Sequence, residues 1–166
     1  MEFVDVYDKM VYDWKSSATD GLQITFGKLN HPQETYGTRF VFPDGKDIAY
    51  TTDNEPFDPN IPDPRLLRLA KGADIWITDC QYEKDQYHGK FGGVPRHGWG
   101  HSYPEAVAAT AVQAEVKTVV LFHHDPESSD EKIRSVQDQT QDLIDGMMGG
   151  KGIKVIAAYE GLQLKL

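Results

Sequence analysis

The chain has 166 residues, 39% of them hydrophobic and 26% charged, which suits one folded domain and excludes an intrinsically disordered chain. A formal net charge of −9, from 26 acidic and 17 basic residues, argues against the broad Lys/Arg surface that tracks a nucleic-acid backbone. No apolar run approaches the roughly 20 residues needed to cross a bilayer. The opening MEFVDVYDKMVYDW lacks the basic start and apolar core of a signal peptide, and the single cysteine leaves no internal disulfide, so the cytoplasm is the expected location.

Residues 1–21 have weak periodicity and stay unassigned. LQITFGKL (22–29) puts Leu22, Ile24 and Phe26 on one face and predicts a half-buried strand. YGTRFVF (36–42) and DIAYT (47–51) flank PDGK, a turn signal, and predict a hairpin. NEPFDPNIPDP (54–64) carries four prolines and predicts a loop without regular structure. Asp63 and Pro64 read as N-cap and first position of a short helix closed by Gly72. ADIWITD (73–79) predicts a strand covered on both faces. Residues 80–100, with five glycines, predict a long functional or mobile loop.

Ser102 and Glu105 stand at capping-box spacing and predict a helix over 102–115. TVVLFH (118–123) predicts the next buried strand. Ile133, Val136, Thr140, Leu143, Ile144 and Met147 recur at helical spacing, and GMMGG ends that helix. IKVIAA (153–158) and LQLKL (162–166) predict closing strands around Glu160-Gly161. Strands alternating with helices in this order predict an α/β sheet whose strand ends share one rim.

Five polar residues fall at that rim. His31 follows the strand 22–29, Asp53 the strand 47–51, Asp79 ends the strand 73–79, and His123 ends the strand 118–123. His101 opens a helix, where the dipole predicts a lowered pKa. Neutral imidazoles with carboxylates are a ligand set for zinc, manganese or iron. Because the ligands come from different strands, no spacing is diagnostic. The residues alone leave open the plainer alternatives: strand-end histidines bonded to backbone, and an Asx-turn at Asp53. His88 and His97 read as loop residues and Cys80 as a small buried hydrophobe. Trp76 and Phe122 read as core, while Tyr82, Tyr87 and Trp99 are candidates for a pocket wall.

The segments LNHPQETYGTRF, IAYTTDNEP, GADIWITDCQYEKDQY, GWGHSYPEAVAATA and VKTVVLFHHDPESSD, over residues 22–166, together resemble the metallo-β-lactamase fold. Within that fold the chain is similar to bacterial metal-dependent hydrolases related to the tRNA 3′-processing endonucleases and class II-type cyclic-nucleotide phosphodiesterases. The resemblance implies His31, Asp53 and His123 as metal ligands, Asp53 bridging two divalent ions, with zinc first and manganese or iron as alternatives. It implies His101 as a catalytic histidine near the scissile phosphate and Asp79 as the acid that orients it. His124 and Asp125 are implied as outer supports.

The family's His-x-His-x-Asp-His signature does not occur in these residues. The expectation is therefore a single partial domain, 1–166: the C-terminal half of an αββα sandwich, a mixed sheet with helices on one face. A fragment inactive by itself is favoured over a split gene product or a degenerate protein. The function expected of the whole is phosphodiester hydrolysis on a small substrate. A non-catalytic binding or scaffold module is the alternative. The expected partners are the missing N-terminal half or a partner chain, with a homodimer through the exposed sheet face as a further option.

Overall fold

Seven strands pair in sequence order, β1 (Val11–Trp14), β2 (Leu22–Lys28), β3 (Tyr36–Val41), β4 (Asp47–Thr51), β5 (Ile75–Asp79), β6 (Thr118–Phe122) and β7 (Lys154–Ala157). A computed structural model describes residues 5–14, 21–58 and 61–166. Residues 1–4 and 15–20 of the unassigned stretch, and residues 59–60 of the proline-rich loop, lie outside the described residues. β1 was not expected: it pairs antiparallel with β2, Val11 opposite Thr25 and Tyr12 opposite Ile24. β2, β3 and β4 continue antiparallel, and β4 through β7 run parallel.

Each parallel step needs a crossover, and helices supply it: α1 (Pro64–Ala70), α3 (Pro104–Ala114) and α4 (Asp130–Asp145). Right-handed crossovers between strands in strict sequence order all fall on one face. Accordingly α1 packs on α3, and α3 on α4. Trp76, Val119 and Leu121 point from the sheet into this layer and are fully buried. Gly27 and Gly37, paired across β2 and β3, let α1 approach closely. A Cβ on either would lie 2.9 Å from Leu69 Cδ1.

The sheet's other face carries Ile24, Phe40, Ile48 and Ile75 in one cross-strand row. Phe122 shares that face and is 38% exposed, so it is not the core residue the sequence suggested. Trp76 is.

Local signals held at α1, where Asp63 accepts from Arg65 N at 2.8 Å and Pro64 occupies the first turn. They failed at α3. Pro104 takes the first helical position, Tyr103 becomes the N-cap, and Ser102 makes no cap bond. The backbone N–H of Ser102 instead donates to Asp79 at 2.9 Å. The loop 80–100 contains a short helix, α2 (Lys84–Tyr87), and a tight turn at Lys90–Gly92. Leu162–Leu166 is not a strand. After β7 the tail returns toward the sheet's opposite end, where Lys46 Nζ, in the turn before β4, donates to the Leu166 carbonyl.

Candidate metal centre

Two antiparallel reversals make β2 run with β4, and the parallel steps keep β5 and β6 in the same sense. The residues after β2, β4, β5 and β6 therefore meet at one rim. There Asp53, His101 and His123 each offer a ligand atom, all within 4.8 Å of one another. His123 Nε2 lies 3.5 Å from Asp53 Oδ1, and the His101 and His123 ring centroids are 4.9 Å apart.

Behind this group sits Asp79, fully buried. It accepts from His101 Nδ1 at 3.0 Å, Asn54 N at 3.1 Å and Ser102 N at 2.9 Å. Burial pushes its pKa up against those three bonds. Burial also disfavours the His101 imidazolium, but the hydrogen bond and charge of Asp79, with Asp53 and Glu55, outweigh it and raise the His101 pKa. The lowered value expected from a helix dipole is thus reversed. The helix begins at Pro104, three residues after His101, and the ring's hydrogen-bond partner is the Asp79 carboxylate.

Asp53 and His123 share a backbone feature. Both are non-glycine residues in the left-handed region, with φ of 57° and 54°. That conformation is sparsely populated and tends to cluster at functional sites, where surrounding structure enforces it.

His31 stands apart from the three-residue group, its ring 5.7 Å from that of His101. Its Nδ1 accepts from Gln33 N at 3.2 Å, and its other edge rests on Gly100. A Cβ at Gly100, whose φ is +91°, would come within 2.0 Å of His31 Cδ2. His124 Nε2 donates to the Ala158 carbonyl at 3.2 Å, and burial lowers its pKa. Asp125 builds the following turn by accepting from Glu127 N at 2.9 Å, and it accepts from Gln86 Nε2 at 2.8 Å.

Sequence reasoning missed Asn30, Asn54 and Glu55. Asn54 Oδ1 accepts from Asn30 N at 3.0 Å, while Asn30 Nδ2 donates to the Glu55 carbonyl at 2.9 Å. These bonds lock the loop after β2 to the loop after β4. Three polar residues directly after strands, one pair inside the segment dismissed as an unstructured proline loop, were the available signal. Tyr82 and Trp99 border a cleft with His101, as anticipated. Arg96 lies over the Trp99 ring at 4.3 Å there. Cys80 is buried beneath the rim.

The mixed sheet with one helical layer and an acid-histidine rim defines an α/β protein of the metallo-β-lactamase type. Residues 10–124 match the profile of the Beta-lactamase superfamily domain, and the chain belongs to that superfamily.

The metallo-β-lactamase fold protein YhfI of Bacillus subtilis aligns with a TM-score of 0.66 at 16% identity, over 96% of this chain and 54% of that one. Zn²⁺-bound PqqB of Methylobacterium extorquens gives 0.59 at 20% identity, over 97% and 55%. In sequence, an uncharacterized protein of Mycobacterium tuberculosis is 27% identical over 139 residues, 79% of this chain and 43% of that protein. Ribonuclease Z of Metallosphaera sedula is 27% identical over 115 residues, 68% of this chain and 34% of that protein. The chain spans less than half the length of these curated relatives. Among the described residues no helix is long and apolar enough to cross a membrane.

Proposed function

We propose that the chain carries one side of a divalent-cation centre in a hydrolase that cleaves small phosphodiesters. The observation that carries this is the convergence of Asp53, His101 and His123 within 4.8 Å, with buried Asp79 behind His101. The donor set fits the ion: at bond lengths of about 2.0–2.2 Å, two ligands of one tetrahedral cation sit roughly 3.4 Å apart. Asp53 and His123 are already near that separation, at 3.5 Å. A divalent ion there supplies Lewis-acid stabilisation of charge building on phosphoryl oxygens.

The chain's own groups do the rest. Asp79 holds Nδ1 of His101 and thereby keeps Nε2 toward the Asp53–His123 pair. With its pKa raised, His101 is suited to carry a proton at Nε2 and deliver it to the departing oxygen. The assignment of His31 to a second ion rests on family resemblance alone. Ribonuclease Z among the relatives and the absence of a basic excess together favour a phosphodiester substrate short of a long nucleic acid. The sheet face bearing Phe40 and Ile48 is where we place the rest of the enzyme, with a second copy of the chain as the alternative occupant.

A specific observation supports a second role for His101. Its ligand atom falls inside the same 4.8 Å group, and a histidine that donates its other nitrogen to a carboxylate is a common metal-ligand arrangement. Calorimetric titration with Zn²⁺ and Mn²⁺ decides. Wild type should bind, and Asp53→Ala and His123→Ala should not. His101→Gln should retain binding if it is the proton donor and lose it if it is a ligand. Failure of the wild type to bind either ion would overturn the hydrolase reading and leave a binding module.

A further inference from the structure

Three consecutive residues after β4 are committed in three directions. Asp53 offers its oxygen to the cation centre, and Asn54 bonds to Asp79 and Asn30. Glu55 turns the other way and is 8% exposed. Its side-chain bonds come from neutral donors. Oε1 accepts from the Tyr87 hydroxyl at 2.6 Å and from Gly98 N at 2.8 Å, while Oε2 accepts from Gly100 N at 2.9 Å. Burying a carboxylate costs desolvation energy even when it is hydrogen-bonded. What it provides in return is two oxygens that only accept, and both are in use.

The backbone of Glu55 holds a different loop. Its N–H donates to the Asn30 carbonyl at 2.8 Å, and Asn30 Nδ2 donates to the Glu55 carbonyl at 2.9 Å. Asn30 precedes His31, and Gly100 precedes His101. One residue thus fixes, by its backbone and its side chain, the two segments whose histidine rings lie 5.7 Å apart.

His101 itself sits between two anchored amides. Gly100 N is held by Glu55 Oε2, and Ser102 N is held by Asp79 Oδ1. The Asp79 side of this pair also takes the His101 ring, at 3.0 Å. The Glu55 side touches no atom of the ring, so any influence it has on that ring passes through the backbone of Gly100.

We propose that Glu55 is a positioning residue of the cation centre. Through Gly100 it fixes the backbone of His101, so that the ring meets Asp79 with one nitrogen and the Asp53–His123 pair with the other. The inference rests on the reading of the cation centre given above and adds the residue that sets its His101 arm.

The test compares two near-isosteric variants by nuclear magnetic resonance of the metal-free chain. Glu55→Gln has one accepting oxygen, so whichever way the amide turns, Gly98 N or Gly100 N faces an NH₂ group. Tyr87→Phe removes only the hydroxyl and leaves both glycine bonds in place. The readout is the Nδ1 proton of His101, bonded to Asp79. The His124 ring, bonded to the Ala158 carbonyl elsewhere on the rim, is the internal standard for general loosening. In Glu55→Gln the His101 signal should shift or broaden and the affected glycine amide should exchange at least about tenfold faster, with His124 unmoved. Tyr87→Phe should leave the His101 signal where it is in wild type. An unmoved His101 signal in Glu55→Gln overturns the proposal, as does a change that His124 shares. If Glu55→Gln does not fold, wild type decides: Gly98 and Gly100 amides that exchange at least about tenfold more slowly than in a free peptide support the clamp, and free-peptide rates overturn it. Zn²⁺ titration of wild type runs alongside. Absence of Zn²⁺ binding with the His101 signal lost in Glu55→Gln would sink the hydrolase reading and keep the positioning of His101, while Zn²⁺ binding with that signal unmoved would do the reverse.

Discussion

Asp79 and Asp53 sit at the ends of neighbouring parallel strands, yet they belong to different regions of the rim. Asp79 is sealed inside and accepts three hydrogen bonds, one from the loop after β4 and two from the consecutive residues His101 and Ser102. The Asp53 side chain is 30% exposed, accepts one hydroxyl bond from Thr52 and rests on a left-handed backbone. The inner region is a frame whose groups are satisfied by the protein. The outer lip, Asp53 with His123, keeps donor atoms unspent and backbone geometry unrelaxed. A site that must exchange partners with a cation and a substrate needs both parts: the frame fixes position, and the lip stays available.

The sharpest break in this comparison is removal of the inner carboxylate. Asp79→Ala strands the Asn54 and Ser102 N–H groups and His101 Nδ1 in a buried place. Each unsatisfied group costs about 1–3 kcal/mol, so a total loss of at least roughly 3 kcal/mol is expected. Asp53→Ala strands nothing buried and should stay within about 1 kcal/mol of wild type. Urea midpoints of the two variants check this, and similar midpoints would dissolve the distinction between frame and lip.

How far this division was legible in the sequence depends on the kind of signal. Strand ends are readable from hydrophobic runs, which put Asp53, Asp79 and His123 at the rim, and the helix start puts His101 there. Three-dimensional pairing was not readable. Nothing local says that Ser102 gives its N–H to Asp79, and a capping-box pattern outweighed the Pro104 that actually sets the helix start. LQLKL alternates like a strand, but the tail heads back toward Lys46 and forms no ladder. Glu55 was hidden for a related reason. Its role is to join Tyr87, Gly98 and Gly100, residues 32 to 45 positions downstream.

A smaller effect sharpens the comparison through pH. His101 has a raised pKa in the folded protein. The folded state therefore holds that proton more tightly than the unfolded chain. The resulting stability is complete below the ordinary value of 6.5 and is lost as pH rises through the folded value. His124, whose pKa burial lowers, acts in the opposite sense, its contribution falling away as pH drops below 6.5. The readout is thus the difference between wild type and His101→Gln, measured from pH 5 to about 9 with a chelator present. That difference should favour wild type at the acid end and shrink toward the alkaline end. A difference that grows with pH would mean that Asp79 does not hold His101 in its charged form.

The least costly change falls on the lip itself. His123 sits at a φ of 54°, a region asparagine tolerates better than most residues. Its ring touches mainly other site groups, Asp53 at 3.5 Å and the His101 ring at 4.9 Å. His123→Asn should therefore leave stability unchanged or raise it by up to about 1 kcal/mol, since the strain is eased and little packing is lost. Divalent-cation affinity should fall at least about tenfold in the same variant. Thermal unfolding and calorimetry on one sample separate the two. A gain in stability paired with a loss of cation binding marks a residue held in strain for its donor atom, whereas a fall in stability with binding intact would make His123 a structural residue of the rim.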